Sequence, residues 1–299
     1  MQDKIIRKRT LADRFICGYD NFYYNTVEPI KLNLARLKNE HLYKNSDEDP
    51  LISVFTPTYN RGSLFIERAL PSVLAQTYKK FEYIIVGDCC TDNTSELVAK
   101  IKDPRIRFYN LPKRGYRYPP TVENHWLAGP VIANNKALQM VKGKWIARID
   151  DDDVWTPDHL EKLLRFAQTG NHEFVSAQVT QERYGERTVC DGHVVPSSYY
   201  KINKLVNERY VRIGGTLTWF HRSYLKFFKY NINCWRKSWN RVNDVDVATR
   251  MYKAGVRMDF LRKPLALYLP RPGEKTVGFD AYKNTKDDKL KHFEFNNNE

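Results

Sequence analysis

Short apolar runs alternate with segments of helical spacing through the first half of the chain. Residues 51–55, 81–86, 105–109 and 144–149 are brief β-branched and aromatic stretches of the kind that form buried strands. Between them, Leu64, Phe65, Ala69, Val73 and Leu74 recur at helical spacing within residues 61–78. Thr91-Asp-Asn-Thr94 offers N-cap chemistry to a helix through about Lys100, and residues 131–141 predict another. Strands alternating with helices imply βαβ units, hence an α/β fold with a mostly parallel sheet. In such sheets ligands bind beyond the carboxyl ends of the strands. That puts residues 56–60, Asp88 and Asp150 to Asp153 on one rim. Beyond Leu164 the pattern loosens: residues 174–179 and 215–220 read as strands, 244–254 as a helix and 257–269 as an extended segment.

The flanks read differently. Residues 1–49 are polar and basic, with an uneven apolar pattern, and end in the acidic turn-rich stretch Asn45-Ser-Asp-Glu-Asp-Pro50. They are expected to be a partly helical N-terminal extension. The polar residues ending in Asn296-Asn-Asn-Glu299 are expected to be disordered. No internal repeat is found.

Composition narrows the function classes. Of 299 residues, 42% are hydrophobic and 28% charged, enough to bury a core. No stretch of about 18 uncharged apolar residues occurs, and no apolar segment follows the basic residues of Met1 to Arg9, which argues against a membrane span and a secretory signal. The expectation is a cytoplasmic protein, soluble or peripherally membrane-associated. Cysteines 17, 89, 90, 190 and 234 form no CxxC pair, so neither a disulfide framework nor a zinc site is suggested. The net charge of +14 would suit nucleic acid, an anionic membrane or a phosphorylated substrate, but no nucleic-acid motif organises the scattered basic residues.

Against that excess of positive charge, Asp150-Asp-Asp-Asp153 places four carboxylates directly after an apolar strand. Their repulsion would be relieved by a divalent cation, and hard oxygen ligands suit Mg²⁺ or Mn²⁺. Helix capping near Pro157 would use one or two of them, not four. Asp88 ends another apolar strand on the same rim; alone it would be an ordinary turn residue. Thr56-Pro-Thr-Tyr-Asn-Arg61 reads either as a strand-to-helix turn or as an edge able to hold a planar base.

These segments, in order, resemble the family 2 glycosyltransferases of the GT-A fold. The resemblance rests on Leu51-Ile-Ser-Val-Phe-Thr-Pro-Thr-Tyr-Asn-Arg61, Glu82-Tyr-Ile-Ile-Val-Gly-Asp88 with Thr91-Asp-Asn-Thr94, Ala133-Asn-Asn135 before Lys142-Gly-Lys-Trp-Ile146, and Asp150 to Asp153. It spans residues 51–165, with a fainter continuation to about 273. It implies a GT-A (Rossmann-like) mixed, mostly parallel sheet flanked by helices, with residues 50–165 holding a nucleotide sugar, 166–273 an acceptor, and 274–299 as a tail. Thr56, Pro57 and Tyr59 match positions lining the base, with Arg61 beside them; Asp88 matches the carboxylate that hydrogen-bonds it, usually uracil. Asp150 and Asp152 match the ends of the DxD motif, the first on the ribose and the last on the metal, with Asp151 sharing the ribose contact. Cys89-Cys90 replaces the small residues usual after Asp88.

In the second half, Asn243-Asp244-Val-Asp246 resembles the family's helix-start motif, where a Glu-Asp pair normally stands. The resemblance makes Asp244 the base that deprotonates the acceptor hydroxyl in an inverting displacement; its bland reading is a helix cap. Lys113, Arg114 and Arg117 could assist with phosphate, or form a solvated loop. Trp219, Trp235 and Trp239 suit a sugar platform or core packing. Gly214-Gly215 marks a close approach to substrate or a bend, and His125 and His221 are metal neighbours or satisfied histidines. The expectation is thus a metal-dependent inverting glycosyltransferase using a nucleotide sugar, UDP-linked, and a glycan, glycoprotein or glycolipid acceptor, with no nucleic acid partner. Two rivals remain. A sugar nucleotidyltransferase would want a Gly-rich phosphate loop where Thr56-Pro-Thr-Tyr-Asn60 stands, and a non-catalytic glycan- or nucleic-acid-binding module would not need Asp150, Asp152 and Asp244 together.

Overall fold

The computed structural model describes residues 8–43, 49–195, 211–238 and 241–284. The strands, in chain order, are β1 (Ile52–Thr58), β2 (Phe81–Gly87), β3 (Ile106–Asn110), β4 (Trp145–Arg148), β5 (Val154–Trp155), β6 (Phe174–Arg183), β7 (Glu186–Cys190), β8 (His193–Val195), β9 (Val211–Ile213), β10 (Phe220–Arg222) and β11 (Met258–Tyr268). Nine of them form one sheet in the order β3-β2-β1-β4-β10-β6-β11-β5, with β7 paired to β6. β3, β2, β1 and β4 run parallel. β10 then enters antiparallel between β4 and β6. The sheet is therefore mixed and mostly parallel, as the alternation of runs predicts.

Every residue of β1, β2 and β4 is buried, because helices cover both faces of the parallel block. Period-two alternation sorts their side chains into two cores. Phe55, Ile84, Val86 and Ile146 pack on one side with α5 (Val122–Ala128) and α6 (Val131–Met140). Ile52, Val54, Tyr83 and Ile85 pack on the other with α2 (Gly62–Glu67), α3 (Ala69–Leu74) and α7 (His159–Thr169). The single helix expected over 61–78 is two, broken at Arg68 (φ −116°, ψ −73°). Pro71 explains the break, since it cannot donate to the Glu67 carbonyl four residues back. The remaining helices are α1 (Leu11–Asn39), α4 (Thr94–Ala99), α8 (Asn243–Lys253) and α9 (Phe279–Asn284).

One further expectation changes. Residues 215–220 are not a continuous strand: Thr216–Thr218 form a 3-10 turn before β10, with the Thr218 hydroxyl donating to the carbonyls of Gly215 and Ala177. The extension is partly helical, as expected: it carries one 29-residue helix, α1, started by a capping box in which Thr10 and Asp13 exchange hydrogen bonds of 3.0 and 3.1 Å. Its inward side docks on the second half by polar contacts: Arg36 makes a bidentate pair with Glu173 (2.7 and 2.6 Å), Glu28 meets Arg250 (3.2 Å) and Asp13 meets Arg236 (2.9 Å). Among the described residues no helix is long and apolar enough to cross a membrane. Trp239 and the tail from 285 lie outside the described residues.

Candidate functional site

Register delivers the rim. Thr58 at the end of β1 lies opposite Gly87 at the end of β2, and Phe55 opposite Arg148 at the end of β4. The chain leaving each strand therefore opens into one cleft, lined among others by Pro57, Tyr59, Arg61, Asp88, Asp150 to Asp153 and Asp244.

The four-aspartate loop is held at each residue. Asp150 takes the Arg148 guanidinium (2.8 Å) and the Thr216 hydroxyl (3.2 Å). Asp151 accepts from the buried Thr58 hydroxyl (2.8 Å), and one Arg61 nitrogen donates to both Asp151 (3.1 Å) and Asp152 (3.0 Å). Asp153 is buried with one carboxylate oxygen lacking a partner; burial, then the charges of its three neighbours, push its carboxyl well above the usual range. None of the four caps the following helix, whose N-cap position is Asp158.

Asp88 is clasped by two guanidiniums, Arg117 at 2.7 Å and Arg114 at 3.2 Å. Arg114 also lies over the Tyr59 ring, 4.1 Å from its centroid, and donates to His125 Nδ1 at 3.1 Å. Arg114 and Arg117 of the basic loop are thus folded onto the rim rather than solvated, Arg117 at 6% exposure, while Lys113 remains exposed. The signal for the two arginines was available in the sequence only as spacing from Asp88 along the sheet. Thr56 needs correction as a base-lining residue. It is fully buried, its hydroxyl shares a 2.8 Å hydrogen bond with Tyr83, and it lies one strand repeat behind the rim, where Thr58 stands instead.

On the opposite wall, Asp244 sits in the first turn of α8, half-buried in the cleft. Neither it nor Asn243 is the N-cap, which is Val242 without a side-chain cap; Asn243 instead donates to the Leu127 carbonyl (2.8 Å). Burial raises the Asp244 carboxyl above its ordinary value, against the opposing pull of Arg148. Residues missed from the sequence close the cleft: Tyr282 of α9 accepts from Arg61 at 3.4 Å, and the Arg271 guanidinium lies 4.5 Å from the Tyr282 ring centroid. Residues 274–284, read as tail, carried no strand or helix signal of their own.

Several bland readings are the ones observed. Trp219 and Trp235 are core residues at 4% exposure. A Cβ at Gly214 would meet the Ala177 carbonyl at 2.0 Å, so the close approach is to β6 and not to a ligand. His221 is buried in the sheet, its imidazole held down to about 4 by burial. Cys89 and Cys90 are free thiols.

Which residues could hold a cation follows from the donor set. Asp150 and Asp152 are the more open carboxylates of the loop, at 22% and 23% side-chain exposure. Among the described residues no group of three or more ligating side chains surrounds one point. An Mg²⁺-like ion held by one or two carboxylates and completed by substrate phosphates requires no such cage.

Comparison with known proteins identifies the family. The family model described as "Glycosyl transferase family 2" matches residues 53–118 and 121–231. WcaA of Escherichia coli K12, named for colanic acid biosynthesis as a glycosyl transferase, is 36% identical over 186 residues, 58% of each chain. WfaP of Escherichia coli, named a UDP-Glc:α-D-GlcNAc-diphosphoundecaprenol β-1,3-glucosyltransferase, is 34% identical over 119 residues, 40% of this chain and 42% of that one. The chain spans about half the length of these curated relatives. Among solved structures, S. aureus TarS in complex with UDP-GlcNAc aligns with a TM-score of 0.52 at 20% identity, over 75% of this chain and 60% of that one. The mannosyltransferase PcManGT from Pyrobaculum calidifontis, in complex with GDP-Man and Mn²⁺, aligns with a TM-score of 0.53 at 18% identity, over 85% and 68%. At that identity these neighbours show the fold, which is GT-A.

Proposed function

Since the chain belongs to glycosyl transferase family 2, we propose that it transfers a sugar from a nucleotide sugar, UDP-linked, to an acceptor hydroxyl with inversion. Residues 50–165 form the donor half and 166–273 the acceptor half. The observation that carries the reading is the convergence on one cleft of Asp88, Asp150 to Asp152 and, from the opposite wall, Asp244.

Asp88, Pro57 and Tyr59 receive the base, and Asp150 with Asp151 the ribose. Asp152, with Asp150 beside it, would hold Mn²⁺ or Mg²⁺. A divalent ion there would supply positive charge to a leaving diphosphate, a favourable electrostatic effect. Asp244 accepts the proton of the attacking hydroxyl; its raised pKa makes it a better base than an exposed aspartate. Arg61 and Arg271 border the same cleft and orient phosphate oxygens. One displacement with the base and the leaving group on opposite faces inverts the anomeric centre. WcaA and WfaP are named for polysaccharide and lipid-linked glycan synthesis, which supports a glycan or glycolipid acceptor for this chain.

Calorimetric titration of UDP and GDP, each with Mn²⁺ and with EDTA, tests the donor half. The expected result is UDP binding that requires the metal and weakens about 10²-fold or more in Asp152→Ala. Absence of metal-dependent binding by either nucleotide would sink the assignment.

A further inference from the structure

α1 is amphipathic in an unusual sense: beside the buried Cys17 and Leu32 its inward face carries its three acids, and its outward face carries a stripe of large apolar residues. Asp13 and Glu28 are buried and ion-paired, and Asp20, half-buried, accepts from Asn231 at 3.1 Å. The opposite side presents Leu11, Phe15, Phe22, Ile30, Leu34 and Leu37, from 56% to 83% exposed, at spacings that keep them on one stripe. Over 26 residues this stripe runs about 39 Å. A row of that length is far more than the scattered exposed apolar residues usual on a soluble surface.

Charge decides what covers it. All three acids of α1 are turned inward, Asp13 and Glu28 into ion pairs and Asp20 onto the Asn231 amide, whereas Lys8 just before the helix and Arg14, Lys31 and Lys38 along it are exposed. A second copy laid antiparallel on the stripe would bring Lys8 and Arg14 against Lys31 and Lys38, like charge on like charge. An anionic lipid surface matches both the apolar stripe and its basic margins, and aromatic side chains favour the interfacial depth. From this juxtaposition we propose that α1 lies in the plane of an anionic bilayer and seats the protein on it.

The placement has a geometric corollary. α1 packs against α8, the helix that opens with Asp244, through the Glu28–Arg250 pair. The bilayer therefore lies one helix layer from the cleft.

The test is flotation of the full chain with vesicles of phosphatidylcholine containing phosphatidylglycerol, against phosphatidylcholine alone, at low and high salt. Phe15→Ser/Phe22→Ser/Leu37→Ser is compared with the unsubstituted chain, and Tyr19→Trp, at 67% exposure on the same stripe, reports depth by fluorescence. Expected are binding to the anionic vesicles that falls with salt, a blue shift in the emission of the Tyr19→Trp variant on addition of vesicles, and at least tenfold weaker binding by the triple variant with an unchanged melting temperature. If the triple variant fails to fold, the Tyr19→Trp emission decides alone. No shift, or equal binding by a folded triple variant, overturns the proposal. So does a concentration-dependent dimer that the triple variant abolishes without any vesicle binding, which would make a second copy the occupant.

Discussion

Asp88 and Asp150 to Asp152 leave the ends of hydrogen-bonded parallel strands, whereas Asp244 leaves the first turn of a helix held by side-chain pairs to α1 and by Asn243 on the Leu127 carbonyl. The first group is positioned by backbone register, which a surface substitution scarcely moves. The second is positioned by contacts such as Glu28–Arg250, joining residues more than two hundred positions apart. A cleft built this way has one rigid wall and one wall that depends on how well distant elements dock. In the proposed reaction, donor chemistry sits on the rigid wall and the proton acceptor on the other.

The strongest way to separate the walls is Asp244→Asn. Removing the base while keeping the shape is expected to lower kcat by about 10²- to 10⁴-fold. Nucleotide affinity should stay within about twofold, because the donor wall is untouched. A parallel loss of nucleotide binding, read by calorimetry, would merge the two walls into one cooperative unit. A smaller effect comes from two buried histidines, one in each half. Burial holds His159, stacked on Trp155 in the first half, down to about 3, and His221 in β10 down to about 4. The unfolded chain takes up their protons near pH 6.5 while the folded chain does not. Stability is therefore complete above that pH and lost as pH falls, by roughly 1.4 kcal/mol per pH unit for each histidine. Denaturant melts from pH 7 to 5 should show this slope, and His159→Gln and His221→Gln should each remove one share. If one substitution removes all of it, the halves do not unfold together. The smallest effect is Arg117→Ala. Asp88 would keep Arg114 but lose its nearer partner, at a cost of about 1–2 kcal/mol, seen as a melting temperature lower by a few degrees.

The same contrast explains what could be read from the sequence. The parallel block and its rim were legible because each strand is a continuous apolar run and each site carboxylate follows it within four residues, so local pattern and function coincide. Thr56 was misplaced because the alternation of a strand reports which face a residue takes but not how deep it lies; its hydroxyl bonds Tyr83 inside the packed layer, two residues short of the opening. Arg114 and Arg117 looked like a solvated loop because their partner, Asp88, is brought beside them by the β2–β3 pairing. α1 was legible only as partial helicity, its length hidden because many of its apolar residues form an outward stripe while its acids turn inward, which blurs the usual one-sided pattern. Its capping box, Thr10 to Asp13, was nonetheless written in the sequence. The wall formed by Tyr282 had no local signal at all.

The register that aligns Thr58 with Gly87 and Phe55 with Arg148 also sorts the chain by its tolerance of change. One residue gained or lost within β1, β2 or β4 reverses which face every following side chain meets, sending a rim carboxylate into an apolar core or a core residue into the cleft. The loops that leave the rim carry no such constraint, since their length alters nothing upstream of them. Among descendants of this chain, substrate preference is thus free to drift by insertion beyond the site carboxylates, while the strands themselves can vary in spelling but not in length.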